Sequence, residues 1–116
     1  MIKRNTLFDS DCLSVLQQMD SESVGLVFLD PPWGTAINFT YGTKCSEHNK
    51  TEHNRIELRD YLKYLDWVFQ EVYRVLKKDG SAYLLCPPDS NIDFRLILNQ
   101  IFDATSPSHE FVWMRH

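Results

Sequence analysis

The run Val24-Gly25-Leu26-Val27-Phe28-Leu29 carries no polar side chain, and it ends on Asp30-Pro31-Pro32-Trp33. Six residues without alternation are too short for a helix and read as a strand buried on both faces, the kind found in a parallel sheet covered by helices. Proline cannot continue a ladder, and it pushes the preceding residue to extended geometry, so the strand must stop at Asp30. Asp before Pro is an ordinary way to open a turn. Trp33 is not, because turns favour Gly, Asn, Asp and Ser. A carboxylate, a proline carbonyl and an indole face at a strand end form instead an acceptor set suited to a planar amine.

The remaining pattern extends the α/β reading. Asn5-Thr6-Leu7-Phe8 reads as a short strand, and Asp9-Ser10-Asp11 opens a helix whose apolar positions are Leu13, Val15, Leu16 and Met19. With Val24 to Leu29 this predicts a βαβ unit. Between Glu57 and Lys77, Leu58, Leu62, Leu65, Phe69, Val72 and Leu76 recur at spacings of four and three, the stripe of a core-facing helix. Lys77 and Lys78 suit its C-terminal end, and Gly80 is placed to end it. Ser81 to Cys86 reads as the next buried strand, stopped by Pro87-Pro88. A helix follows, capped by Asp89 or Ser90, with Ile92, Leu96, Ile97, Ile101 and Phe102 on its inner face. Phe111-Val112-Trp113-Met114 reads as a last strand, and Trp113 as a core residue. The order predicts an open, mostly parallel sheet with helices on both faces, in which ligands bind outside the carboxyl ends of the strands.

Residues 34–56 are polar and without period, apart from Ile37, Phe39 and Tyr41. A loop of that length inside a compact domain is more often a binding loop or mobile segment than an idle connection. Cys45, His48 and His53 fall there, but their spacing matches no common zinc pattern and a fourth ligand is not evident, so no metal is expected. The three cysteines are odd in number and far apart, which argues against disulfides. No run of eighteen apolar residues and no leader are present, so a cytoplasmic protein and no membrane association are expected. At 116 residues the chain is one domain at most, short for an enzyme that binds a large substrate and a cofactor. Its net charge of -4 argues against tight autonomous binding to nucleic acid, which needs clustered Lys and Arg.

An aromatic exocyclic amine is a poor nucleophile because its lone pair is delocalised into the ring. If the Asp30 carboxylate and the Pro31 carbonyl each accept one N–H, they hold the nitrogen and favour its shift toward tetrahedral geometry as an electrophile arrives. Pro32 stiffens the turn, and Trp33 can stack on a base taken out of a duplex.

Asp30-Pro31-Pro32-Trp33 resembles the catalytic motif of the amino-methyltransferases that use S-adenosylmethionine to methylate N6 of adenine or N4 of cytosine. The flanks carry the resemblance over nearly the whole chain. Asp11-Cys12-Leu13 is similar to the family's N-terminal cofactor-side segment, the stretch from Arg74 to Leu84 to its helix, glycine turn and next strand, and Glu110-Phe111-Val112-Trp113 to the later strand near the target-base pocket. A catalytic motif near the N-terminus resembles the permuted β-type enzymes. The resemblance implies a Rossmann-like fold, with residues 1–116 forming part of a catalytic domain. It implies Asp30, Pro31, Pro32 and Trp33 as catalytic residues, Asp11, Cys12 and Asp30 on the cofactor side, and Trp33, Phe39 and Tyr41 against the base. Asp11 is equally readable as a plain helix cap.

One departure is large. The four glycines, Gly25, Gly34, Gly42 and Gly80, are scattered, and the Phe-x-Gly-x-Gly segment that cradles the methionine end of the cofactor is absent. The expected function is therefore that of an incomplete catalytic segment of a site-specific DNA adenine-N6 methyltransferase, of the kind found in restriction–modification. It is expected to be inactive alone and completed by a second polypeptide or a second copy. Aspartate as the first motif residue leans toward adenine over cytosine N4, and the bacterial-looking helix and glycine-turn segment favours DNA over RNA adenosine. A non-catalytic split-gene product that persists as an assembly piece is the alternative outside enzymology.

Overall fold

One face of a long helix organises the molecule. In the computed structural model, residues 2–31, 58–86, 91–103, 109–112 and 114 are described, and they form α1 (Cys12–Leu16), β1 (Val24–Leu29), α2 (Leu58–Val75), β2 (Leu76–Leu84) and α3 (Asn91–Phe102). Tyr61, Leu65, Val68, Val72 and Val75 fall on one stripe of α2 at spacings of four and three, and all are buried, with Phe69 beside them. The expected stripe holds at Leu65, Phe69 and Val72. Its centre is rotated toward Tyr61 and Val68, and Leu62 is only partly buried.

The stripe gathers the other elements. Leu13 and Leu16 of α1, Val27 and Leu29 of β1, Leu84 of β2, and Ile97, Leu98, Ile101 and Phe102 of α3 pack against it, around a Phe94 ring that meets Phe69 edge-on at 6.4 Å. On α3 the sequence pattern misplaces the inner face. Ile92 and Leu96 are 74 % and 58 % exposed, whereas Phe94 is the buried residue. A helix with apolar residues on several sides does not show from periodicity alone which side meets the core.

β1 and β2 pair in parallel as a two-stranded sheet, with Val27 opposite Ala82, Phe28 opposite Tyr83 and Leu29 opposite Leu84. The first pair, Val24 with Leu76, is set by the end of α2, where the N–H groups of Glu22 and Ser23 donate to the carbonyls of Arg74 and Val75 at 2.9 and 2.8 Å. These bonds satisfy helix carbonyls that would otherwise lack partners. They also stop the helix at Val75, so Lys77, Lys78 and Gly80 belong to β2 and not to the helix end. The stretch from Val24 to Leu26 faces the longer stretch from Leu76 to Ser81, which makes an irregularity in the ladder. Gly80 returns the chain to register by close approach: a Cβ there would stand 3.0 Å from the Gly25 carbonyl oxygen and 2.9 Å from the Leu76 side chain.

Three expectations are corrected. Residues 5–8 form no strand, and Leu7 is 98 % exposed, so the N-terminal βαβ unit is replaced by an exposed lead-in to α1. Among the described residues β1 is covered on one face only, by α2: Leu26 and Phe28 point away from the core, 61 % and 66 % exposed. Among the described residues the helices therefore gather on one side of the sheet. Phe111, Val112 and Met114 form no strand and are exposed, because nothing described pairs with them. Trp113, Asp89, Ser90 and residues 32–57 lie outside the described residues. No helix among the described residues is long and apolar enough to cross a membrane.

Arg74 ties α1 to α2. Its guanidinium donates to the carbonyls of Leu16 and Met19 at 2.8 and 2.9 Å and to Ser21 Oγ at 3.1 Å, while Glu71 holds it from the preceding turn at 2.8 Å. Replacing it removes several charge-assisted bonds and leaves part-buried carbonyls unpaired. Arg74→Met, which keeps much of the apolar stem, should cost ~2–4 kcal/mol of stability in urea unfolding. An unchanged midpoint would show that the loop after α1 does not depend on this clamp.

Burial pushes the Tyr61 phenol from 10.0 up to about 12. The folded chain then keeps this proton at a pH where the unfolded chain has lost it. The contribution to stability is full below pH 10 and is lost as the pH rises toward 12. Urea midpoints should fall through that window, and Tyr61→Phe should flatten the fall. An equally steep fall in the variant would assign it to other groups.

Candidate active site

Two carboxylates singled out in the sequence are held in different ways. Asp11 stands before α1 in extended geometry, with φ -59° and ψ 131°, and its Oδ2 accepts the Ser14 N–H at 3.1 Å. Ser14 Oγ returns a bond to the Asp11 carbonyl at 2.8 Å. The plain cap reading is thus correct. It is also incomplete, because the Tyr64 hydroxyl of α2 donates to Asp11 Oδ1. That same hydroxyl lies 3.3 Å from Cys12 Sγ. Since the phenol proton goes to the carboxylate, the phenol oxygen is left to accept the thiol S–H. Tyr64 thus joins the adjacent residues Asp11 and Cys12 as a third member.

Tyr64 was not legible as a partner. It sits at the margin of the α2 stripe, where a tyrosine reads as an apolar body with a wet tip, and only the packing of α1 on α2 aims its hydroxyl. The resulting carboxylate is exposed and fixed in direction by two donors. A carboxylate has about four acceptor positions, so roughly two remain for hydroxyl or ammonium donors of a ligand.

Asp30 follows the last residue of β1. It is exposed, and its side chain has no partner among the described residues; Pro31 behind it is half-buried. The Leu85 N–H donates to the Leu29 carbonyl at 2.9 Å, one step beyond the Leu29 and Leu84 pair. This bond carries the parallel pairing up to the site, so Asp30 and Pro31 emerge beside Leu85 and Cys86 on one sheet edge. Pro32, Trp33, Phe39 and Tyr41 lie outside the described residues, as do Cys45, His48 and His53. Among the described residues no cluster of His, Cys, Asp and Glu could hold a metal ion.

A second polar group flanks this edge. Asn91, the first residue of α3, has its Oδ1 4.0 Å from Cys86 Sγ, and its Nδ2 donates to Glu110 Oε1 at 3.1 Å. Arg95, four residues on, pairs with the other Glu110 oxygen. Burial pushes the Cys86 thiol above its ordinary range, and the Glu110 charge adds to that while Arg95 opposes it. Burial and the Glu110 charge both favour the Cys86 thiol over the nucleophilic thiolate. The i, i+4 spacing of Asn91 and Arg95 shows that they share a helix face. Their common partner fifteen or more residues later has no local signal.

The comparisons agree with one another. Residues 24–116, which include β1, Asp30 and everything after it, match the DNA methylase family of N6/N4 methyltransferases. The chain is 34 % identical over 83 residues to DNA adenine methyltransferase YhdJ of Escherichia coli (strain K12), covering 69 % of this chain and 24 % of that protein. It is 35 % identical over 78 residues to type II methyltransferase M.SfiI of Streptomyces fimbriatus, covering 67 % and 17 %. With type II methyltransferase M.BamHI of Bacillus amyloliquefaciens it shares 30 % identity over 97 residues, 81 % and 20 % of the two chains. The chain thus spans about a quarter or less of the length of these curated relatives. No solved structure matches it. With the match running through the strand, the carboxylate at its end and the three elements that follow, the chain belongs to the N6/N4 DNA methyltransferase family.

Proposed function

We propose that the chain is the base-side portion of an S-adenosylmethionine-dependent DNA methyltransferase acting on adenine N6. The observation that carries this is the exposed Asp30 carboxylate at the carboxyl end of β1, followed by Pro31, on the sheet edge where such folds bind ligands. The Asp30 carboxylate accepts one N–H of the amino group, and the Pro31 carbonyl accepts the other. The nitrogen lone pair is thereby turned out of the ring system toward the electrophile. Asp30 need not remove a proton before attack, because the product ammonium is acidic and loses one afterwards. Pro32 stiffens the turn, and Trp33, with Phe39 and Tyr41, supplies faces for a base withdrawn from the duplex. The relative named an adenine methyltransferase, and aspartate as the first motif residue, favour adenine over cytosine. The relatives named type II methyltransferases favour a place in restriction–modification.

The donor set around Asp11 fits part of the cofactor. S-adenosylmethionine supplies an electrophilic methyl group on a sulfonium centre. Asp11, aimed by Tyr64 and Ser14, can accept from its hydroxyl or ammonium groups, and Cys12 lies beside it. No Phe-x-Gly-x-Gly segment is present among these 116 residues. Methyl transfer therefore needs a polypeptide that carries one, joined to this chain or bound to it. The face of β1 and β2 that no described residue covers, with Leu26, Phe28 and Tyr83 exposed, supports such a requirement, since parallel sheets are ordinarily covered on both faces. A basic surface for DNA would likewise come from outside this acidic segment.

Two measurements test this reading. In an assembly that contains the glycine segment, Asp30→Ala should lower labelled-methyl transfer to adenine-containing DNA by about 10²–10³-fold, the scale for losing one group that stabilises developing charge. Normal transfer by that variant would remove Asp30 from the mechanism. In calorimetry the isolated chain should bind S-adenosylmethionine weakly or not at all, and micromolar affinity would show that these residues hold the whole cofactor site.

A further inference from the structure

α2 grips α1 and its flanks at two places. At one, Arg74 donates to the carbonyls of Leu16 and Met19 and to Ser21 Oγ. At the other, about 15 Å nearer the start of α2, Tyr64 donates to Asp11 Oδ1. α1 needs such grips, because none of its five residues is buried. The two differ in what they hold. Arg74 takes mainly backbone oxygens, which fixes the chain without engaging a carboxylate of α1. Tyr64 spends its one hydroxyl proton on a carboxylate that stands exposed.

Capping does not account for this bond. The cap is complete without Tyr64, since the Ser14 N–H occupies Asp11 Oδ2 and Ser14 Oγ bonds to the Asp11 carbonyl. A donor on one oxygen leaves a carboxylate free to turn about that bond. A second donor on the other oxygen fixes the plane of the group and the direction of the lone pairs that remain. Cys12 bears on the same point. With the phenol proton turned to Asp11, the phenol oxygen meets the Cys12 thiol at 3.3 Å, so thiol, phenol and carboxylate form one chain of donors and acceptors. Each bond in such a chain polarises the next. The thiol proton is spent inside the chain, not on a ligand.

We infer that Tyr64 is the positioning residue of the Asp11 carboxylate, and that Cys12 acts through Tyr64 instead of touching the ligand. This rests on the reading of Asp11 as an acceptor for S-adenosylmethionine. The sequence resemblance put Cys12 on the cofactor side as a binding residue; the hydrogen-bond chain makes it a support and brings in a residue of α2 that no motif contains. The ligand addressed by the aimed carboxylate is a nucleoside, through its hydroxyl or amino donors.

The test is a titration of the 116-residue chain with adenosine, followed by amide chemical shifts, which detect weak binding. Tyr64→Phe keeps the ring and removes the hydroxyl. It should weaken adenosine binding about tenfold, the scale of a hydrogen bond to a charged group, while the Ser14 amide stays bonded to Asp11. Cys12→Ala should weaken binding about threefold in the parent and not at all in Tyr64→Phe, because a residue that acts through another has no effect once that other is gone. Cys12→Ser, which keeps a donor, should regain most of that loss. Parent-like binding by Tyr64→Phe, loss of the Ser14 bond in that variant, an equal loss from Cys12→Ala in both backgrounds, or no adenosine binding by the parent would each overturn the proposal. Asp11→Asn separates it from the reading beneath. Weaker binding by Asp11→Asn with no effect of Tyr64→Phe would reject the positioning role and leave the cofactor reading standing, whereas parent-like binding by Asp11→Asn would remove both.

Discussion

The helices and strands described in this chain are arranged around the buried stripe of α2. Leu65, Phe69, Val72 and Val75 are almost wholly inaccessible, and α1, both strands and α3 reach the core only by packing against that helix. The parallel pairing of β1 with β2 depends on it too, because a parallel pair needs a long crossover and α2 lies within that connection. Its last carbonyls receive the N–H groups of Glu22 and Ser23, so the end of the helix also decides where the sheet begins. A change in the α2 stripe would move the register and, with it, the level at which Asp30 leaves the sheet.

The candidate site sits where that frame ends. β1 and β2 run in one direction, so their carboxyl ends share an edge, and the irregularity opposite Val24 to Leu26 brings them level there despite the extra length of β2. Gly80 makes this possible, since any side chain would meet the Gly25 carbonyl oxygen. The edge combines the Asp30 carboxylate, which has no partner among the described residues, with a polar group fixed by Asn91, Arg95 and Glu110. Asp11 belongs to a separate constellation, tied to α2 through Tyr64.

Much of this was legible in the residues. β1 spans the apolar run from Val24 to Leu29, because a short unbroken apolar run closed by proline has few other solutions. α2 follows from its four-and-three spacing, and Asp11 caps α1 as a short acceptor side chain before an apolar run should. The failures share a cause. Asn5 to Phe8 and Phe111 to Met114 have strand-like composition, but a strand exists only with a partner, and among the described residues neither has one. Ile92 and Leu96 were placed inward by spacing, while Phe94 takes the core because Phe69 meets it there.

The sequence by itself determined which segments are regular, where a proline ends the strand, and that a carboxylate stands at that end. Those properties depend on neighbours in the chain, through backbone geometry and periodic side chains. Tertiary structure alone decided that α2 covers one face of the sheet and leaves Leu26 and Phe28 in water, that Tyr64 turns Asp11 into a directed acceptor, and that Glu110 closes onto Asn91 and Arg95. Such pairings join residues from 15 to 53 positions apart. They arise only once the α2 core has brought the elements together, and no local pattern records them.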